Sequence, residues 1–309
     1  LSPSMYTLIT EDAMQITGLH ILPTHRCTLE CDHCFLWSGP RQTGALPIES
    51  VTRILEQAKE AGVQTVYFEG GEPFLFYAEL VRGVQDAAGM GLDVGIVSNA
   101  YWAISIADAV EWLQPFVGCI TDLSISSDLY HCDECLGEQA QNAVAAAKWL
   151  HIPTGIISVA PPGQSAPASH GQLQEQSEVM YRGRAADKLA PAHMTKPWDS
   201  LSACEHEDLR DPGRLHVDPA GNLHICQGIV IGNLFERPLT QILAGFDPLA
   251  DPITASLLAG GPAGLVTRFG LEHRPAYADG CHLCYEARLA LRQQFPATLA
   301  PDEVYGVIR

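Results

Sequence analysis

The chain has 309 residues, a length that suits one barrel-sized domain with a smaller appendage. Hydrophobic residues make up 47% of it, enough for a sizeable core, yet no apolar run approaches the roughly 20 residues that cross a bilayer. A formal net charge of −18 argues against a phosphate-backbone partner, which needs clustered Lys and Arg, so neither nucleic acid nor membrane is expected as a partner.

Residues 18–24 read as a first strand. Residues 47–61 read as a helix, with Pro47 near its first turn and Gly62 just past its end. Residues 63–69 are a strand and 76–90 a helix closed by Gly91. Strand 92–98, helix 105–113, strand 117–126, the Ala-rich helix 138–150 and strand 152–159 follow. Such alternation implies parallel strands joined by right-handed crossovers. Its continuation is a barrel or part of one, with the active site at the strand C-termini.

The regularity fails after Pro161-Pro162-Gly163. Residues 164–170 read as a loop and 172–181 as one more helix. From residue 194 the composition shifts to prolines, scattered histidines and four further cysteines. Residues 215–217 and 223–225 flank Asp218-Pro219-Ala220-Gly221-Asn222, a hairpin signature. Two domains are expected, 15–190 and 191–309.

Ten cysteines in a large chain whose first residues show no secretory signal point to a reducing, cytoplasmic setting and to metal ligation more than to disulfides. Cys27, Cys31 and Cys34 stand just past the first strand, with three residues between the first pair and two between the second. Three thiolates can hold three irons of a cubane cluster and leave the fourth iron open, whereas a purely structural cluster or zinc site closes itself with four protein ligands. About 36 residues after Cys34, the second strand ends in Gly70-Gly71-Glu72-Pro73. Adjacent glycines there let a ligand approach the backbone, and Pro73 stiffens the exit.

The cysteine spacing, with His33 before the third Cys and Phe35 after it, resembles the cluster motif of the radical S-adenosylmethionine (SAM) superfamily, and the Gly-Gly-Glu-Pro turn stands where that family binds the SAM methionine. The resemblance implies a [4Fe–4S] cluster on Cys27, Cys31 and Cys34. It implies SAM contacts from Phe35, Gly70, Gly71, Glu72, Pro73, Ser98, Asn99, Ser124 and Ser126. The α/β fold it implies is a partial (β/α)6 TIM-type barrel. Family chemistry is reductive cleavage of SAM to a 5′-deoxyadenosyl radical, followed by abstraction of a substrate hydrogen.

Cys204, Cys226, Cys281 and Cys284 have 21, 54 and 2 residues between them, and Gly221 stands five positions before Cys226. This set resembles the twitch (truncated SPASM) extension with one fully ligated auxiliary [4Fe–4S] cluster; zinc is the alternative, since four thiolates also suit it. His206, His216, His224 and His282 read as exposed or supporting residues, not ligands. Gly183-Arg184 either meets substrate or joins the domains. Asp128, Tyr130, His131 and Cys132 follow the fourth strand and are candidate catalytic residues, as proton or hydrogen donors. Cys132 and Cys135 form a Cys-x-x-Cys pair open to metal or disulfide, and Cys119 reads as an inert thiol in a strand.

An auxiliary cluster that accepts an electron favours a two-electron oxidation, an oxidoreductase reading. With no N-terminal leader-binding module recognised, epimerisation or thioether or carbon–carbon crosslinking of a ribosomal peptide ranks behind it. An iron–sulfur electron carrier without SAM turnover is the reading from another class. Expected partners are a small-molecule or peptide substrate and an electron donor such as flavodoxin or ferredoxin.

Overall fold

The computed structural model describes residues 14–132, 136–162 and 177–307. Five strands, β1 (Ile16–Ile21), β2 (Thr65–Phe68), β3 (Asp93–Ser98), β4 (Asp122–Ser126) and β5 (Thr154–Ile157), pair in parallel in sequence order. Between them run α1 (Ile48–Glu60), α2 (Tyr77–Gly89), α3 (Ile106–Leu113) and α4 (Glu138–Trp149). Each crossover exists for a visible reason. In α1 the buried residues Val51, Ile54, Leu55 and Ala58 recur at helical spacing and make one apolar stripe. Such stripes join one face of the sheet, Leu19, Ile21, Val66, Phe68, Val94, Ile96, Leu123 and Ile125, in a single core.

The opposite face of the sheet is polar. Strand register sets His216, His20, Tyr67, Gly95 and Asp122 side by side in one row. Gly95 is required there, because a Cβ would stand 2.2 Å from the Tyr67 ring. A closed barrel fills this face with branched apolar side chains; here it stays polar and open.

Of the partial (β/α)6 barrel expected, the described residues form five consecutive parallel strands. After β5 the sixth parallel position is represented by Ser177 alone, which bridges to Val159. Of the helix expected over 172–181, residues 172–176 and the loop 164–170 lie outside the described residues, while 177–181 are extended or irregular. They exchange backbone hydrogen bonds with the end of β5, Ala160 N to Ser177 O and Ser177 N to Ser158 O, both 3.0 Å. The strand expected over 117–126 keeps only its second half. Gly118, at φ +75°, turns the chain after the short 3₁₀ turn Gln114–Phe116, and Cys119 therefore lies in a turn, half-buried.

The remaining elements are α5 (Arg184–Lys188), β6 (Lys196–Pro197), β7 (Gly213–Val217), β8 (Asn222–Cys226), β9 (Ile229–Asn233), α6 (Leu239–Gly245), α7 (Pro252–Phe269), β10 (Ala276–Tyr277) and α8 (Gly280–Leu291). β6 and β10 form a small antiparallel pair. β7 adds in parallel to the free edge of β1, giving one eight-stranded sheet ordered β5-β4-β3-β2-β1-β7-β8-β9. The expected hairpin is present as β7 and β8. Asp218 Oδ1 accepts from Ala220 N and Asn222 N at 2.8 and 2.9 Å, which closes the turn. α7 is broken at Gly260 and Gly261; at Gly261, φ +59°, a Cβ would meet the Ser202–Ala203 backbone at 2.3 Å.

Candidate active site

The three cysteines occupy the loop after β1, at the C-terminal end of the parallel strands. Cys27 N donates to Gly39 O at 3.1 Å and Cys34 N to Cys31 O at 3.1 Å, which folds the loop back on itself. All three line a cavity of about 390 Å³, a size that admits a small molecule. Burial pushes the Cys27 thiol up to about 11 and raises Cys31 as well, and each feels the charge of its neighbours. Buried thiols that resist ionisation in the apo protein give up their protons when a metal replaces them. The donor set fits a cluster bound on three sides.

Gly183 and Arg184 hold this loop from behind. Arg184 N donates to Cys34 O at 2.8 Å, its Nη1 to Cys31 O at 2.9 Å and its Nη2 to Ser38 O at 2.6 Å. Gly183 has φ +61°, and a Cβ on it would lie 2.4 Å from the Phe35 backbone. The pair clamps the cysteine loop, a role that the sequence reading, split between substrate contact and linkage, did not foresee.

The Gly-Gly-Glu-Pro turn packs against the start of the same loop. Gly70 has φ +112°, and Gly71 stands so close that a Cβ would meet Arg26 O at 2.0 Å. Gly71 N donates to Thr24 O and Glu72 N to Arg26 O, each at 2.8 Å. Gly70, Gly71, Phe35, Ser98, Asn99 and Ser126 line the cavity. Glu72, Pro73 and Ser124 are not among its described lining residues. Glu72 is buried with its carboxylate turned inward, accepting from Phe74 N (3.1 Å), Ser98 Oγ (3.0 Å) and Asn99 N (2.8 Å). Burial pushes it up to about 7 against those three donors. Its effect is to fix Asn99, whose Nδ2 reaches Cys27 Sγ at 3.5 Å and Thr28 Oγ1 at 3.1 Å. Pro73 is buried at the head of a 3₁₀ turn, and Ser124 Oγ donates to Asp122 Oδ2 at 2.7 Å.

On the far wall, Asp128 and His131 face the cavity together with His33. Asp128 Oδ1 lies 2.7 Å from His131 Nδ1 and accepts from Tyr130 N at 2.9 Å, while Oδ2 accepts from Val159 N at 3.1 Å. Burial opposes the Asp128 charge, yet the His131 contact holds its carboxyl below the ordinary range. His33 stacks on Tyr130 with ring centres 4.6 Å apart, and burial lowers its imidazole to about 4. Tyr130 and Cys132 stand behind the wall: burial pushes the Tyr130 phenol up to about 12, and Cys132 Sγ donates to Asp128 O at 3.5 Å. Cys135 lies outside the described residues.

The second set of cysteines converges elsewhere. Cys226 ends β8, Cys281 and Cys284 sit in the first turns of α8, and Cys204 comes from the loop before β7. Cys204, Cys281 and Cys284 each feel the charge of Cys226. Two buried arginines flank them. Arg182 Nη1 donates to Cys226 Sγ at 3.3 Å and lies 3.6 Å from Glu207 Oε1. Arg288 donates to Gln227 O at 2.8 Å and Cys284 O at 3.4 Å, with its guanidinium over the Tyr305 ring. The carbonyls and ring around Arg288 leave its full charge to be met, and ionised sulfurs nearby would meet it. Neither arginine carried a motif in the sequence; only the fold brings them to the cysteines.

The histidines near this set are mostly interior. His206 is exposed, as expected, but His216, His224 and His282 are buried. His224 is bound between Asp218 Oδ2 (3.1 Å) and Gly228 N (3.2 Å), and His282 accepts from Ala278 N and meets Glu286.

Comparison with known proteins agrees with the cavity. Residues 21–118 match the radical SAM superfamily. The chain is 40% identical over 86 residues to a PqqA peptide cyclase of Streptomyces rochei, covering 26% of this chain and 22% of that protein. It is 32% identical over 112 residues to the S-adenosylmethionine-dependent nucleotide dehydratase RSAD2 of Danio rerio, covering 35% and 31%. It spans about a third or less of the curated relatives it matches. Among solved structures, BtrN in complex with AdoMet and 2-DOIA superposes with a TM-score of 0.46 at 13% identity, over 88% of this chain and 93% of that one. Among the described residues no helix is long and apolar enough to cross a membrane. With its three-cysteine loop, its Gly-Gly-Glu-Pro turn and its parallel sheet, the segment 21–118 is a radical SAM domain.

Proposed function

We propose that the protein is an enzyme that reductively cleaves SAM and uses the 5′-deoxyadenosyl radical to abstract a hydrogen from a small-molecule substrate in a two-electron oxidation. The observation that carries this reading is the convergence of Cys27, Cys31 and Cys34 with Gly70, Gly71 and Asn99 on one cavity. A [4Fe–4S] cluster bound there supplies, through its open iron, the electron and the anchor that SAM requires.

The chain's own groups do the rest. The Gly70–Gly71 backbone is bare, so a zwitterionic amino-acid end can reach its carbonyls without displacing a side chain. Asn99 is fixed by Glu72 and presents an amide beside Cys27. The apolar wall of Ile157, Val159 and Val179 keeps water from a radical. His131, oriented by Asp128, is placed to hold or move a proton at the substrate.

Cys204, Cys226, Cys281 and Cys284 suit an auxiliary [4Fe–4S] cluster in a twitch-type extension. Four thiolates give such a cluster a net negative charge, and the buried Arg182 and Arg288 are cations of the sign and position that would balance it. An acceptor of that kind is what an oxidation needs. A peptide substrate is the second reading, favoured by the likeness to a peptide cyclase. In either case the electron donor would be a flavodoxin or ferredoxin.

The test is incubation of reduced, cluster-loaded protein with SAM alone. Formation of 5′-deoxyadenosine and methionine is expected, with about eight irons per chain when both clusters are filled. Absence of both products under well-reduced conditions sinks the enzyme reading and leaves an iron–sulfur carrier.

A further inference from the structure

The row of polar residues on the open face of the sheet contains a cluster outside the reading above. His20 lies on β1 and His216 directly opposite it on β7, because the two strands pair in parallel with His20 against His216. Glu69 follows β2 by one residue, and its N–H donates to Ile21 O at 2.9 Å, which continues the ladder and turns its side chain to the same face. Three adjacent strands thus converge on one spot. The fold builds it only when β7, from the C-terminal half, has docked on β1.

The geometry is that of a ligand set. His20 Nδ1 lies 3.1 Å from Glu69 Oε2, and His216 Nε2 lies 3.6 Å from Glu69 Oε1. One donor atom from each residue falls within 4.8 Å of the others. Two donors held about 2.1 Å from one ion at tetrahedral or octahedral angles stand about 3.0–3.4 Å apart; the first separation falls in that range and the second lies just beyond it. The two imidazoles meet edge to face, 67° apart with centres 5.0 Å apart, so their nitrogens approach from different directions.

The site also holds polar atoms left without partners. Glu69 Oε1 and His216 Nδ1 are buried and make no hydrogen bond, and His216 is 5% exposed. A buried carboxylate oxygen without a donor is costly. His216 is buried with its Nε2 turned toward Glu69 Oε1. Against burial, the His20 contact, then His216 and the more distant Arg214, hold the Glu69 carboxyl below its ordinary range, and Arg214 itself lies 3.8 Å from Glu207. The similar group of His33, Asp128 and His131 differs here, since two backbone amides already occupy the Asp128 carboxylate.

We infer that His20, Glu69 and His216 form a binding site for a divalent transition-metal ion, two imidazoles and one carboxylate with open positions toward the cavity. Glu69 is shared between this site and the cavity wall, so a metal here would stand beside the substrate space and polarise an oxygen or nitrogen ligand on it.

Manganese(II) is the probe, because as a hard ion it competes poorly for thiolates. Anaerobic, cluster-loaded protein is titrated with it and the six-line electron paramagnetic resonance signal of the free ion is followed. One equivalent is expected to bind, with affinity falling at least tenfold in Glu69→Gln and in His216→Gln. His206→Gln, a cavity-wall histidine outside the set, is expected to bind as the parent does, and Glu69→Asp to recover part of the loss. Cluster absorbance and circular dichroism confirm folding in each variant, and His20→Asn replaces any that fails. No uptake by the parent at millimolar ion, or full uptake by folded Glu69→Gln and His20→Asn, overturns the inference. The measurement needs no SAM turnover, so it stands or falls apart from the reading of the cavity.

Discussion

Glu72 shows how a motif residue can be legible in sequence while its job is not. Its place in Gly-Gly-Glu-Pro implied contact with the methionyl end of SAM, but the fold spends both carboxylate oxygens on Phe74 N, Ser98 Oγ and Asn99 N. Nothing in the local sequence announces this, since Ser98 and Asn99 arrive from the next strand. Glu72→Gln must turn an amide N–H toward one of those donors, because Ser98 Oγ already accepts from Ala100 N and Trp102 Nε1. A loss of about 1–3 kcal/mol is expected by denaturant unfolding, with weaker SAM binding as Asn99 shifts. The pH dependence has a definite sign. Burial raises the folded-state value from 4.5 to about 7, so the stabilising share of Glu72 is complete below 4.5 and is lost as pH rises to about 7. Parent stability should carry that decline across this window, and the Gln variant should lack it. A Gln variant with the parent's pH profile would show that Glu72 stays ionised throughout.

The four crossover helices were readable because their ends carry signals with local causes. Pro47 caps α1 from outside, Ser105 Oγ accepts from Asp108 N at the head of α3, and glycines follow α1 and α2. The stretch before β4 was overextended since apolar residues 117–121 look like strand until Gly118 turns them. What could not be read locally is how distant segments brace the cysteine loops. Arg184 spans to Cys31 O and Ser38 O across some 150 positions of sequence. Arg184→Gln removes a charged donor pair, each bond worth about 1.5–3 kcal/mol. Lower iron occupancy on the first set of cysteines and faster loss in air are expected, with far-ultraviolet dichroism unchanged. The N-terminus of α8 offers a second case: Asp279 Oδ1 accepts from His282 N at 2.7 Å and Oδ2 from Tyr181 N at 3.2 Å. Asp279→Ala should cost about 1 kcal/mol or somewhat more and release the iron of the proposed auxiliary cluster from the turn that bears Cys281 and Cys284, while the first set keeps its own. Equal loss from both sets would mean the two loops are coupled through the fold and not held separately.

At the scale of the whole molecule, alternating strand and helix predicted the parallel half correctly, because each crossover is a local unit. The attachment of the C-terminal half was invisible, since a parallel pairing of β7 with β1 joins residues nearly 200 positions apart. Composition placed a division near residue 190, and the sheet runs across it. Residues 14–190 expressed alone would expose the β1 edge from Ile16 to Ile21 and uncover the apolar residues that Leu215, Val217, Leu223 and Ile225 now bury. A bare edge on the middle strand of an apolar-backed sheet is a template for pairing with another chain. The segment would also lose Cys226 and Glu207 from around Arg182, leaving that guanidinium without its anionic partners. Aggregation on expression, or a species that binds hydrophobic dye and melts without cooperativity, is the expected outcome. A monodisperse fragment with a sharp unfolding transition and a filled first cluster would instead make the C-terminal half a true appendage, and the site shared by His20, Glu69 and His216 would then be a contact between two independent units.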